Sequence, residues 1–300
     1  MRRAFILLIS GALLASCGGK SSGAKRPLVG VSLLTQTHAF YKELEDGLRE
    51  EAKARNLDLV IVACEMDPAK QASQIEDFIA QHVAALLVAP CDSSAIGQNL
   101  QAASNAHIPV FTADIAARSG TVVSHVASDN VQGGRLAAQA MAKYIGDAGK
   151  LIIIDQPTVA SVQDRVRGFD EELKKHPSIA VVARPGADGQ RAKAMAVMED
   201  MLQAHRDVKG VFGINDDSAL GALSVIEAAG RKDLVVIGYD ATAEAQAAIK
   251  RGSPLKAEVI QYPRKIGTTA IEMIARYLAG ERVPPIVPVE VGLVTADTRK

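Results

Sequence analysis

Three hundred residues, 48% of them hydrophobic, are enough to bury one large core or two ordinary ones. The 34 basic and 34 acidic residues cancel, and a near-neutral chain has no field with which to gather phosphates, which argues against nucleic acid as a partner. Aromatic residues make up 4% and tryptophan is absent, so each aromatic side chain is worth placing individually.

The chain opens as a targeting segment. Met1-Arg2-Arg3 is a positive start, and the apolar run Ala4 to Ala15 is too short to stay in a bilayer as a spanning helix. It ends in Leu14-Ala15-Ser16-Cys17, which resembles a bacterial lipobox. Residues 1–16 are expected to leave as a signal peptide, with Cys17 lipidated as the first mature residue. The alternative is an ordinary signal peptide with a chance cysteine, and the small residues directly before Cys17 weigh against it. Removal of Arg2 and Arg3 leaves 32 basic against 34 acidic residues, a mature charge of −2. Gly18-Gly19-Lys20-Ser21-Ser22-Gly23 reads as a flexible tether within residues 17–26, holding a water-soluble body at a membrane.

From Leu28 onward, strand-like and helix-like runs alternate. Apolar β-rich runs fall at Leu28–Leu33, Leu59–Ala63, Ala85–Ala89, Pro109–Thr112 and Val122–His125. A second set falls at Leu151–Ile154, Ile179–Ala183, Gly210–Phe212, Leu234–Ile237 and Ala257–Ile260. Short continuous apolar runs suit parallel strands covered on both faces. Amphipathic helices lie between them: Phe40, Leu44, Leu48 and Ala52 recur every four residues, as do Ile75, Phe78, Ile79 and His82 or Val83. Asp67-Pro68 is an N-cap followed by proline at the first helical position, and Asn56 stands where a left-handed C-cap is expected. Two successive βα sets predict an α/β fold of two doubly wound parallel-sheet lobes. A last helix (Arg264–Leu278) and strand (Ile286–Val291) are too little for a third domain and complete the existing lobes.

Enzyme signatures are absent from the alternating segments: no G-x-G-x-x-G after the first strand, no P-loop, no H-E-x-x-H and, from Leu28 onward, no G-x-S-x-G. The six histidines form no ligand-like cluster, and no calcium loop is present, so no cofactor or metal is expected. Open α/β sheets bind ligands at the carboxyl ends of their strands. The residues there are His38, Phe40 and Tyr41 after the first strand, Ala89 and Asp92 after the third, and Asp114 after the fourth. The second set offers Arg165, Asn215 and Asp240, and Gln261 follows Ile260 at a candidate crossing. Planar polar side chains grip neighbouring hydroxyls and aromatic rings offer an apolar face to a sugar's C–H side. Any one of these residues could be no more than a helix N-cap, a role that suits Asn215 before Asp216-Asp217 and Asp240 before Ala241-Thr242. The joint pattern is what favours binding.

Longer stretches then match a known family. Leu44-Glu45-Asp46-Gly47, Asp67-Pro68-Ala69-Lys70, Ile108-Pro109-Val110, Val123 through Asn130, Val211-Phe212 with Asn215-Asp216, Ala219 through Leu223, and Gly238-Tyr239-Asp240 resemble the ribose-binding-protein family of periplasmic binding proteins, from Pro27 to about Asp297. The resemblance implies a two-lobe clamshell with three hinge crossings, placed near Ser128–Asp129, Ile260–Gln261 and Val289–Val291. Lobe one would be 27–128 plus 262–289, and lobe two 129–261 plus 290–300. It implies a sugar or polyol in the cleft held by Phe40, Tyr41, Asp114, Arg165, Asn215, Asp240 and Gln261, with His38 in place of the family's asparagine. Ala89, Ile115 and Gly189 replace an asparagine, an arginine and an aromatic residue, which argues against ribose and for another pentose, a deoxy- or branched sugar, or a larger polyol.

The implied role is a monomeric, non-catalytic solute-binding lipoprotein that serves an ABC transporter permease, in the periplasm or on the outer face of the cell membrane. A sensory protein docking on a chemoreceptor or sensor kinase would use the same clamshell. A repressor core would need an N-terminal helix-turn-helix, where this chain has its targeting segment. A two-carboxylate hydrolase built on Asp114 and Asp240 is less apt than a pair of hydroxyl acceptors. Cys64 and Cys91 are expected to remain free thiols. They end the second strand and follow the third, and with the first strand between them their backbones would be roughly 9–10 Å apart, beyond disulfide reach.

Overall fold

The computed structural model describes residues 26–298. The expected signal peptide, most of the tether and Cys17 lie outside the described residues. The chain alternates β1 (Leu28–Leu33), α1 (Ala39–Ala54), β2 (Asp58–Ala63), α2 (Pro68–Ala80), β3 (Ala85–Val88), α3 (Gly97–Asn105), β4 (Val110–Ala113), β5 (Ser124–Ser128) and α4 (Asn130–Ile145). It continues with β6 (Gly149–Ile154), α5 (Ala160–Leu173), β7 (Ile179–Ala183), α6 (Arg191–Ala204), β8 (Val208–Gly213), α7 (Asp216–Ala228), β9 (Val235–Asp240) and α8 (Ala243–Lys250). It ends with β10 (Leu255–Ile260), α9 (Pro263–Leu278), β11 (Ile286–Val289) and β12 (Gly292–Thr295).

Two six-stranded sheets result, ordered β11-β5-β4-β3-β1-β2 and β12-β10-β9-β8-β6-β7. Among the described residues every strand pairing is parallel except β12 with β10, which is antiparallel. The sequence led us to expect parallel strands only. The strand expected at Ile286–Val291 ends at Val289 as β11, in the first sheet; β12, which lies beyond it and was not foreseen, joins the second, because the chain changes lobes between Val289 and Gly292. Likewise β5 belongs to the first sheet while α4 packs on α5 and β9, and β10 belongs to the second sheet while α9 packs on α1 and β5. Three strands of chain therefore connect the two lobes. β3 and β4 are buried along their whole length, as helices on both sheet faces require.

Local chemistry sets the boundaries. Asp67 accepts hydrogen bonds from the Ala69 and Lys70 amides with Pro68 at the first helical position, and Asn56 takes the left-handed φ of 54° just past α1. Paired glycines let helices touch. A β-carbon on Gly47 would meet the Arg264 carbonyl and one on Gly267 the Leu44 carbonyl, which closes α1 against α9. Gly134 and Gly168 do the same for α4 and α5, where added carbons would strike the backbones of Arg165 and Val131.

The cysteine expectation is overturned. Cys64 and Cys91 form a disulfide with their α-carbons 6.7 Å apart, although β1 does lie between β2 and β3 as supposed. Both residues sit past the strand ends, where lateral strand spacing no longer holds. The two chain segments turn inward over the end of β1, and each sulfur lies against the Leu34 carbonyl, at 3.4 and 4.0 Å.

Candidate functional site

The carboxyl ends of both sheets face one another across the cleft between the lobes. The cavity there is lined by all eight residues singled out from the sequence: His38, Phe40, Tyr41, Asp114, Arg165, Asn215, Asp240 and Gln261. The cavity volume is small, about 50 Å³.

Asp114 follows β4 and Asp240 ends β9, the fourth strand of each lobe. Both have a positive φ, 64° and 106°. That conformation is costly for a residue with a β-carbon and persists where surrounding structure over-determines it; here it turns a carboxylate off each strand end into the cleft. The Tyr41 hydroxyl donates to Asp114 Oδ2 at 2.6 Å, and Gln261 Nε2 donates to Asp240 Oδ1 at 2.6 Å. Asp114 Oδ1 and Gln261 Oε1 are buried with no hydrogen-bond partner among the described residues. Burial pushes the Asp114 carboxyl up to about 6, against the opposing pull of Arg165 and the Tyr41 hydroxyl. Burial and the neighbouring carboxylate push the Tyr41 phenol well above its ordinary value.

Arg165 arrives from α5. Its Nε donates to Asn130 Oδ1 and its Nη1 to the Ile214 carbonyl, both at 2.8 Å. The guanidinium stacks 3.9 Å above the Tyr239 ring, a desolvated cation–π contact. The glycine contact between α4 and α5 is what lets the arginine reach Asn130. Beneath Asp240 lie two more buried carboxyls. Burial, then Asp240, raises Asp216 to about 6; burial, then Asp216, raises Glu258 well above its ordinary value.

Asn215 and His38, too, are engaged in structure. Asn215 does cap α7, accepting from the Ser218 amide at 2.9 Å while its Nδ2 donates to the Gly189 carbonyl at 3.0 Å. His38 Nε2 lies 3.4 Å from Asp217 Oδ2, across the cleft in the other lobe. Asp240 does not cap α8, which Thr242 caps, but its Oδ2 accepts from the Asp216 amide at the start of α7 at 3.4 Å. Asp92 caps its own loop through the Ser94 and Ala95 amides, and neither it nor Ala89 lines the cavity. Sequence reasoning missed Leu34, Thr35, Met66, Gln156, Val159, Ser161, Val162 and Ile214. Gln156 and Met66 stand just beyond β6 and β2, so the strand-end rule, applied to every strand, would have found them.

Residues 29–282 match the family model described as periplasmic binding protein domain. The chain is 37% identical to the ribose import binding protein of Bacillus subtilis over 300 residues, 97% of each chain. The chain belongs to the periplasmic binding protein family. Within it, the D-apiose import binding protein of Paraburkholderia graminis is 30% identical over 83% of this chain and 80% of that one. Among solved structures, an ABC transporter solute-binding protein of Mycobacterium smegmatis with bound glycerol superimposes with a TM-score of 0.86 at 36% identity, covering 90% of this chain and 94% of that one. The myo-inositol binding protein of Caulobacter does so at 0.85 and 28% identity, covering 90% and 93%. Among the described residues, no helix is long and apolar enough to cross a membrane.

Proposed function

We propose that this protein is an extracytoplasmic lipoprotein that captures a small sugar or polyol between its lobes and delivers it to an ABC importer. The observation that carries the reading is the pair of buried acceptors without partners, Asp114 Oδ1 and Gln261 Oε1, on opposite walls of one cleft. A buried acceptor left unmet costs about 1–3 kcal/mol, and a polyol hydroxyl donating to each recovers that cost on both walls at once. Arg165 supplies donors, and Phe40 and Tyr41 supply an apolar face for the ring. Relatives are named for ribose, D-apiose and xylitol, and solved relatives hold D-allose and myo-inositol, which keeps the ligand among small polyols. Ile115 in the cavity wall, where ribose binders carry an arginine, favours a ligand other than ribose. Residues 27–128 with 262–289, and 129–261 with 290–300, are the two bodies that close on it.

A thermal-shift screen against D-ribose, D-apiose, xylitol, D-allose, D-arabinose, D-tagatose, D-fucose and myo-inositol, followed by calorimetry, tests the reading. Stabilisation by at least one with micromolar or tighter affinity is expected; none shifting the melt refutes it. Cys17 is the proposed lipid anchor, so Cys17→Ala should abolish lipid labelling in cells, and retained labelling would sink that part alone.

A further inference from the structure

Helix α5 carries Arg165, and its first residues form the lobe-two lip of the cleft. Its N-cap position is Val159, whose side chain has no oxygen to offer, and the helix has no cap of its own. Four N–H groups at a helix start need partners outside the helix, and Ala160, the first helical residue, is 1% exposed. The partner comes from the other lobe: the Ala160 amide donates to Ser93 Oγ at 2.8 Å. The Ser93 amide in turn donates to the Thr158 carbonyl at 3.1 Å. Ser93 is fully buried, and its own carbonyl accepts from the Arg118 amide within lobe one at 2.8 Å.

The loop that presents Ser93 is fixed from beneath. Cys91 is tied to Cys64 by the disulfide, and its amide donates to the buried Gln71 Oε1 at 2.7 Å. Asp92 Oδ1 accepts from the Ser94 and Ala95 amides at 2.8 and 2.9 Å. The hydroxyl is therefore held at one place before any ligand arrives, and little is lost in ordering it.

We propose that Ser93 is a positioning residue for ligand retention: a helix cap supplied by one lobe to the binding helix of the other, made when the lobes close and broken when they part. This rests on the sugar-binding reading above. Contacts present in one state only are the ones that shift an equilibrium toward it. The other cross-cleft pairs, His38 with Asp217 and Arg118 with Gln163, involve partly exposed side chains and contribute less for that reason. Because the bond forms after encounter, its loss should act on release and leave capture alone.

Ser93→Ala deletes the acceptor. Stopped-flow kinetics with whichever member of the sugar panel binds wild type most tightly should show koff about tenfold faster in this variant, the equivalent of one helix cap. kon should stay within about twofold. The ligand-free Tm of Ser93→Ala should match wild type, which a general packing defect would not allow. Unchanged koff, or a fall in kon with ligand-free Tm, would overturn the latch while leaving sugar binding intact. A wild-type protein that binds no member of the panel would overturn both.

Discussion

Replacing Asp114 by asparagine should separate stability from binding. Burial lifts this carboxyl from 3.8 to about 6, so keeping it ionised above that pH costs the folded chain about 3 kcal/mol relative to the unfolded one. A raised carboxyl contributes its full share of stability below pH 3.8, where both states are protonated, and loses it as pH rises through about 6. The Asp114→Asn protein would carry no such penalty, since the new amide oxygen can accept from the Tyr41 hydroxyl and asparagine tolerates the left-handed φ of 64° at this position. The variant should therefore melt higher than wild type at pH 8, by about 5 °C or more, and the gap should shrink steadily toward pH 4. The nearby Asp216, also raised to about 6, titrates in both proteins and cancels in the difference. The same substitution should weaken ligand binding by at least about tenfold, because a charged acceptor is lost. Melting curves from pH 4 to 8 and calorimetry at pH 7.5 measure both effects. A melting gap independent of pH, or an Asp114→Asn protein less stable than wild type at pH 8, would refute the assignment of a strained, desolvated carboxylate.

Wild-type affinity itself should fall as pH drops below about 6, because ligand hydroxyls stabilise the ionised Asp114 and protonation removes that acceptor; titrations at pH 5 and 7.5 that agree would contradict this. Asp240→Asn should cost about 2–5 kcal/mol of binding, read by calorimetry, and wild-type affinity would reduce Asp240 to a partner of Gln261. Gly134→Ala should lower stability by about 1–3 kcal/mol and weaken binding together, because the new methyl pushes on the Arg165 carbonyl at the contact of α4 with α5; an unchanged melt would show that the helices can separate freely. Thiol titration of denatured, non-reduced protein lacking Cys17 should count no free thiol, and reduction should cost about 3–4 kcal/mol for a crosslink spanning 27 residues.

Much of the architecture was legible because the central strands are buried on both faces and read as apolar runs: Leu28–Leu33 begins and ends where the hydrophobic run does, and Ala85–Val88 stops one residue short of it. The strand-end rule found Asp114, Asp240 and Gln261 because each leaves its strand directly into the cleft. It missed Val159 and Val162, which reach the cavity only after a loop has turned, and whose apolar side chains look like any helix core position. Gly292–Thr295 could not be told from the strand before it, since a four-residue apolar run carries no sign of the sheet it joins. The cysteines were misjudged because a spacing valid inside a sheet was applied to residues beyond its edge.

The helix α9 and strand β11 are the last-made parts of the lobe that begins the chain. α9 closes on α1 through Gly47 and Gly267, and β11 supplies the edge partner of β5. Until residue 289 or so has been synthesised, the first lobe lacks one covering helix and one strand, with apolar surface on α1 and β5 uncovered. The second lobe's helices and five of its strands are continuous in sequence and can assemble earlier. Of the two lobes, the one that begins the chain is thus the one whose covering helix is made last.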